Sequence, residues 1–100
     1  MPDSPPTLWR LDGFDERYQD WLDQEQPDHS LGTLILNWLL SRMEDPYEGA
    51  TRESGFPNLW WGAVPFSGHG DEQVVVVVYW IYESTHSLRC DRIASLTWPM

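Results

Sequence analysis

The segment from Gln73 to Tyr82 limits what this chain of 100 residues can fold into. Its sequence, QVVVVVYWIY, continues after the first position as an unbroken series of β-branched and aromatic residues, which favour strands. A continuous apolar run is typical of a strand covered on both faces, so we expect a central strand of that kind. The run from Val74 to Ile81 is far shorter than the roughly 20 residues that a membrane-spanning helix needs.

Shorter patterns predict three further strands. Thr7 to Leu11 is a short strand candidate, with Thr7, Trp9 and Leu11 on one side. Leu59 to Val64 is largely apolar and is followed by a proline, which ends the strand. His86 to Leu96 follows a turn after the central segment and forms the last strand. The sequence therefore predicts four strands.

Two helices are predicted between the first and second strands. Helical spacing marks one face of the first helix, formed by Phe14, Tyr18, Trp21 and Leu22. The same spacing marks the second helix, with Leu31, Leu34, Ile35, Trp38, Leu39 and Met43. Asp28 or Ser30 can cap the second helix, and Asp45-Pro46 ends it, because the residue before a proline avoids helical angles. Residues 47–56 have the composition of a loop.

The order of these elements is β-α-α-β-β-β. It predicts an α+β fold with two N-terminal helices packed on one face of a four-stranded mixed or antiparallel sheet. We expect residues 1–6, which are rich in proline, to be a disordered tail and residues 7–100 to form a single domain. The first residues do not resemble a signal peptide, and a single cysteine, Cys90, fits a reducing compartment. These features favour the cytoplasm and no membrane association.

The charge of the chain is strongly acidic. Six arginines and 16 carboxylates give a net charge of −10, and there is no lysine. The excess is largest in residues 1–30, and we expect an acidic stripe of Asp12, Glu16, Asp20 and Asp23 on the first helix. Its spacing of roughly 4 Å per charge is close to that of phosphates along one DNA strand. The stripe is either a nucleic-acid mimic or an ordinary solvated helix face.

Several local sequences, taken with the order of the elements, resemble the RelE/ParE toxin superfamily over roughly residues 8–98. They are Phe14-Asp15-Glu16-Arg17 with Trp21, the stop Glu44-Asp45-Pro46, Gly55-Phe56-Pro57-Asn58-Leu59-Trp60, Val77 to Tyr82, and Leu88-Arg89-Cys90-Asp91-Arg92. The resemblance implies the fold described above. It also implies either cleavage of messenger RNA on the ribosome, as in the RelE branch, or inhibition of DNA gyrase, as in the ParE branch.

The resemblance also implies candidate catalytic residues. Arg52 and Arg92 stand near basic positions of the family, and Trp98 stands near a C-terminal tyrosine that part of the family uses. Two departures weaken a ribonuclease: Glu53 or Ser54 occupies another basic position, and no lysine is present to act as a general base. Whether the protein is an enzyme therefore stays open.

Strand alternation predicts where further candidate binding residues point. It places Arg92 on the same side as Leu88 and Cys90, whereas Arg89 and Asp91 share the other side, where they can pair with each other. The adjacent Trp60 and Trp61 point to opposite faces. Either both tryptophans pack in the core, or one stands exposed and can stack on a base or anchor a partner.

Two functions remain open from the sequence. The first is a RelE/ParE-type toxin whose Arg52, Arg89 and Arg92 converge on an exposed face and whose partner is an antitoxin, with messenger RNA or the ribosome as a target. The second is a non-catalytic acidic inhibitor on the same scaffold that binds a basic protein. A homodimer is compatible with both. We expect no cofactor and no metal, since His69 and His86 lie at opposite ends of the central strand.

Overall fold

The computed structural model describes residues 8–68 and 73–97. The predicted tail and two predicted residues of interest, His69 and Trp98, lie outside these ranges. The elements are two helices and five strands: β1 (Arg10–Asp12), α1 (Phe14–Glu25), α2 (His29–Ser41), β2 (Thr51–Arg52), β3 (Leu59–Ala63), β4 (Gln73–Tyr82) and β5 (Ser87–Thr97). Neither helix is long and apolar enough to cross a membrane.

The strands form one mixed sheet in the order β1-β5-β4-β3-β2. β1 is parallel to β5, and the other neighbours are antiparallel. The predicted α+β class is confirmed, with both helices on one face, but the sheet has five strands rather than four. The additional strand is β2, because Thr51 and Arg52 pair with Trp61 and Trp60 inside the segment predicted to be a loop.

α1 starts at Phe14, two residues later than the acidic pattern suggested. Gly13 occupies the position before the helix with a φ of 75°, a left-handed conformation that glycine adopts readily. Asp12 therefore belongs to β1 and not to α1. Phe14 and Trp21 are the buried residues of α1 that pack on the sheet.

α2 begins at a recognisable signal but ends before the predicted stop at Asp45-Pro46, so that Met43 lies outside the helix. The Asp28 side chain accepts a hydrogen bond from the Leu31 backbone N–H at 2.9 Å, which confirms one of the two predicted caps. The helix ends at Ser41, and residues 42–44 continue as a turn before Asp45-Pro46. Ile35 and Leu39 are its buried apolar residues that contact the core.

The face of the sheet beneath the helices, which we call the covered face, carries the core. Along β4 it presents Val75, Val77, Tyr79 and Ile81, all of them buried. The helices approach closely here: a Cβ added at Gly62 of β3 would lie 2.8 Å from the Trp38 ring of α2. A glycine at this position therefore allows α2 to pack against β3.

One cation is buried at the edge of the core. Arg42 is 2% exposed, and its guanidinium lies 3.9 Å from the centroid of the Trp38 ring. It donates hydrogen bonds to the Glu48 carbonyl and to the Tyr79 hydroxyl, which in turn donates to the Pro46 carbonyl. These contacts satisfy the buried polar groups and hold the chain after α2 against the sheet.

The opposite face of the sheet, which we call the open face, is apolar as well. It presents Val76, Val78 and Trp80 along β4, and no helix or strand in the described ranges lies over it. The prediction that the central strand is covered on both faces is therefore wrong. Neighbouring side chains on the same face bury Val76 and partly bury Val78 and Trp80, so an apolar run can be shielded without a second layer of helices or strands.

Candidate functional site

A β-bulge in β5 decides which residues reach the open face. Tyr79 pairs with Cys90, but Val78 pairs with Arg92, so Asp91 is an extra residue without a counterpart in β4. An extra residue shifts the alternation of every side chain that follows it. Ile93 therefore points into the core, where it is 8% exposed.

The bulge overturns the predicted orientation of Arg92. Arg92 does not share a side with Leu88 and Cys90, because its register partner Val78 lies on the open face. Arg89 is in register with Trp80 on that same face. Both arginines are exposed. The two arginines that simple alternation separates are thus on one surface.

An open cleft of about 430 Å³ lies on this face beside Arg92. Its lining combines a mostly apolar floor with three charged side chains: Glu53, Phe56, Leu59, Trp61, Val76, Val78, Asp91, Arg92 and Leu96. Phe56 meets Trp80 edge-on, with ring centroids 6.3 Å apart. A concave, largely apolar surface with a few polar groups is the usual form of a ligand site.

Polar contacts on the open face bring acids and arginines together. The Trp80 indole N–H donates to the Asp91 carboxylate at 3.4 Å. In β1, Arg10 and Asp12 form an exposed ion pair at 3.0 Å. Asp12 is also in register with Arg89. Acids and arginines are therefore neighbours on β1 and β5, although the chain as a whole carries a net charge of −10.

Arg52 does not join the two arginines of the open face. Its register partner is Trp60, and Trp60 pairs in turn with Tyr79 of the covered face. Its guanidinium reaches the Phe56 carbonyl at 3.5 Å. The structure thus brings together Arg89 and Arg92 but not all three predicted arginines.

The two adjacent tryptophans separate as expected. Trp60 packs against the core, with the Tyr47 ring 5.0 Å away in an edge-on contact. Trp61 is on the open face and lines the cleft. Of the alternatives left open by the sequence, the structure favours one core tryptophan and one at a surface cleft.

The predicted acidic stripe is not a single helix face. Glu16, Asp20 and Asp23 are exposed on α1, but Asp12 lies on β1 beside Arg89. Asp20 is paired with Arg17 at 2.9 Å. The prediction of a four-charge stripe on α1 is therefore wrong, because the helix begins after Gly13 and Asp20 has an arginine partner.

The remaining reactive side chains do not form a metal site in the described part of the chain. No three His, Cys, Asp or Glu side chains come together there as metal ligands. His86 stacks on Trp9, with ring centroids 3.9 Å apart. Cys90 is buried on the covered face, and burial raises the pKa of its thiol to about 12, so the thiol stays protonated and unreactive at neutral pH.

Three residues of the cleft have no site role in the sequence analysis. There Glu53 is a departure from a basic position, Phe56 is part of a loop motif, and Asp91 is a pairing partner for Arg89. Glu53 and Phe56 enter the site because β2 and β3 bring their loop over the open face. No local pattern marks Asp91 as a bulge, since bulges depend on the pairing of two strands.

Comparison with known proteins identifies the fold. No protein-family model and no curated protein match the sequence. Two solved structures do match. The first is the isolated E. coli RelE toxin, with a TM-score of 0.65 and 14% identity, and the match covers 91% of this chain and 87% of that one. The second is a mutant of E. coli toxin RelE in the free state, with a TM-score of 0.61 and 14% identity, and the match covers 87% of this chain and 82% of that one. The chain therefore has a RelE-like fold, in agreement with the resemblance seen in the sequence.

Proposed function

We propose that the protein is a RelE-type toxin that cleaves RNA in the cleft of the open face. The observation that carries the proposal is the bulge at Asp91, which brings Arg92 into one cleft with Glu53 and Trp61. The RelE-like fold supports the same assignment. Fold alone does not define an activity, so the argument depends on the chemistry of this cleft.

The proposed reaction is an attack of the ribose 2′-hydroxyl on the adjacent phosphate. The 2′-oxygen forms a bond to phosphorus, the bond from phosphorus to the 5′-oxygen breaks, and a cyclic phosphate remains on the upstream nucleotide. Arg92 stabilises the negative charge that develops on the phosphate oxygens. Arg89, further along the same face, holds a neighbouring phosphate.

Proton transfer requires a base and an acid. The chain has no lysine, and the Glu53 carboxylate lines the cleft, so we assign Glu53 to accept the proton of the 2′-hydroxyl. Water at this open cleft protonates the departing 5′-oxygen. The position that seemed to weaken a ribonuclease in the sequence supplies the base in this proposal.

Aromatic side chains supply the binding surface for the bases. Trp61 and Phe56 line the cleft with Arg92, and a base stacked on an aromatic ring contributes about 1–3 kcal/mol without regard to sequence. The net charge of −10 disfavours long-range attraction of RNA. At physiological salt, screening over about 8 Å leaves local arginine contacts effective. A protein partner with the role of an antitoxin would keep such a toxin silent.

Controlled expression in bacteria tests the proposal. We expect growth arrest and messenger RNA cleavage, measured by mapping new RNA 5′ ends after induction. Arg92→Ala and Glu53→Gln should each lower the cleavage rate of the purified protein by about 100-fold. Arg52→Ala is the matched control, because Arg52 belongs to the covered face, and it should retain cleavage.

Two outcomes would contradict RNA cleavage. Intact RNA with normal growth would remove the toxin assignment altogether. Growth arrest with intact RNA and inhibited DNA supercoiling by gyrase would move the protein to the ParE type. The acidic-inhibitor alternative has weaker support, since two of its four carboxylates, Asp12 and Asp20, already bind arginines.

A further inference from the structure

A second surface lies where the turn between α1 and α2 meets the described residues of the connection that follows β3. Phe66, in that connection, is 94% exposed. The other exposed large apolar side chains range from 37% to 52% exposed. A phenylalanine this exposed leaves nearly all of its apolar surface in water, where a partner can cover it, and it marks a surface when it adjoins a further apolar area.

The backbone holds Phe66 in this position. Its φ is 64°, a left-handed conformation that bulky side chains rarely adopt. The next residue, Ser67, is fully buried. Its hydroxyl donates to the Val64 carbonyl at 2.6 Å and accepts the Val75 backbone N–H at 2.9 Å. The turn is therefore fixed at its base, and Phe66 is presented by a defined backbone conformation.

A cleft of about 440 Å³ lies beside the Phe66 ring. Its apolar part is formed by Phe66 together with Pro27, Leu31 and Leu34. Glu25 and Asp28 also line it, and no described lining residue is basic. The surface thus combines an apolar anchor and an apolar depression with negative charge, and it shares no residue with the cleft of the open face.

Charge identifies the kind of occupant. A second copy of the chain would bring the same carboxylates and a net charge of −10 against the same surface, and like charges facing each other disfavour association. A segment rich in lysine and arginine around an apolar residue complements both the acids and the apolar depression. We propose that Phe66 and the adjacent cleft are a docking surface for such a basic, apolar segment of another protein.

The proposal can be tested with two synthetic peptides. They carry the same leucines at helical spacing, with lysines between them in one peptide and glutamates in the other. Binding to the full-length protein is measured by fluorescence anisotropy of a labelled peptide. We expect the lysine peptide to bind, the glutamate peptide not to bind, and the affinity to fall as salt is raised.

Variants separate specific docking from general attraction to an acidic protein. Phe66→Asn, which suits the left-handed backbone, should weaken binding of the lysine peptide by about 30-fold. Glu25→Gln should weaken the same binding by a few fold. Phe56→Ala is the matched control, because Phe56 is a half-exposed phenylalanine of the open face, and it should leave binding unchanged.

Three results would overturn the proposal. The first is equal binding of both peptides to the wild type. The second is binding of the lysine peptide by Phe66→Asn as tight as by the wild type. The third is a homodimer of the wild type in analytical ultracentrifugation that Phe66→Asn dissociates. The last result would assign the surface to a second copy instead. RNA cleavage by Phe66→Asn should equal that of the wild type, so failure here is distinguishable from failure of the ribonuclease proposal.

Discussion

Val77 and Val78 are neighbours in β4, yet they point to opposite faces of one sheet and meet very different surroundings. Val77 faces the helices and is fully buried, whereas Val78 lines an open cleft with a tryptophan and an arginine. Both faces are apolar along the strand. The comparison shows that apolar composition alone does not distinguish a face that stabilises the fold from a face available for binding.

The largest expected difference between the faces concerns tryptophan. Trp21 is 2% exposed and its indole N–H donates to the Ser95 hydroxyl at 3.3 Å, so Trp21→Ala should lower the free energy of unfolding by about 4 kcal/mol. Trp80→Ala on the open face should lower it by about 1 kcal/mol, because that ring is only partly buried. Urea denaturation measures both values, and equal losses would contradict the distinction between the faces.

A smaller difference is expected from adding a methyl group to β3. Gly62→Ala places a Cβ 2.8 Å from the Trp38 ring and 3.2 Å from the Gly49 carbonyl. We expect a loss of about 2 kcal/mol through overpacking. Ala63→Ser, one residue along and on the open face, should change stability by less than about 0.5 kcal/mol. A neutral Gly62→Ala in thermal unfolding would show that α2 packs less tightly than described.

The thiol on the covered face gives a pH-dependent comparison. Burial raises the pKa of Cys90 from 9.0 to about 12, so the unfolded chain loses its thiol proton at a lower pH than the folded chain. Its stabilising effect is complete below pH 9 and falls between pH 9 and 12 by about 1.4 kcal/mol per pH unit. Urea denaturation at several pH values should show a shallower alkaline loss for Cys90→Ala.

A thiol placed on the other face serves as the control for Cys90. Val78→Cys in a Cys90→Ala background should react with a thiol reagent at pH 8 at least tenfold faster than Cys90 of the wild type, since reactivity follows the thiolate fraction and access. Similar rates would mean that the covered face opens readily to solvent.

The smallest expected effect concerns charge on the open face. Asp12 forms an exposed ion pair with Arg10, and such pairs contribute little, so Asp12→Asn should change the free energy of unfolding by less than about 0.5 kcal/mol. Because Asp12 is in register with Arg89, the same substitution should strengthen RNA binding severalfold. Anisotropy of a labelled single-stranded RNA measures this, and unchanged affinity would remove Arg89 from the binding surface.

Local patterns were sufficient for the presence of both helices and of four of the five strands. The spacing of Phe14 and Trp21, the Asp28 cap and the apolar run of β4 each report a physical requirement carried by a few neighbouring residues. The RelE-like fold followed from the order of these elements together with the family resemblance.

The parts of the site that could not be predicted depend on pairing between distant segments. Asp91 has no partner residue in β4, and this bulge depends on how β4 and β5 pair with each other. β2 forms because two residues of the predicted loop pair with residues of β3. The orientation of Arg92 and the entry of Glu53 into the cleft follow from these pairings. The periodicity of side chains within a single segment does not show which residues of two strands pair with each other.

The extra residue in β5 also decides which surface the rest of the strand supplies. If Asp91 were taken into the regular pairing, opposite Val78, Arg92 would turn toward the helices and Ile93 toward water. Every downstream side chain of the strand would exchange inside for outside. In this scaffold the pairing of one backbone position, rather than the replacement of any side chain, separates an arginine-bearing surface from an inert one.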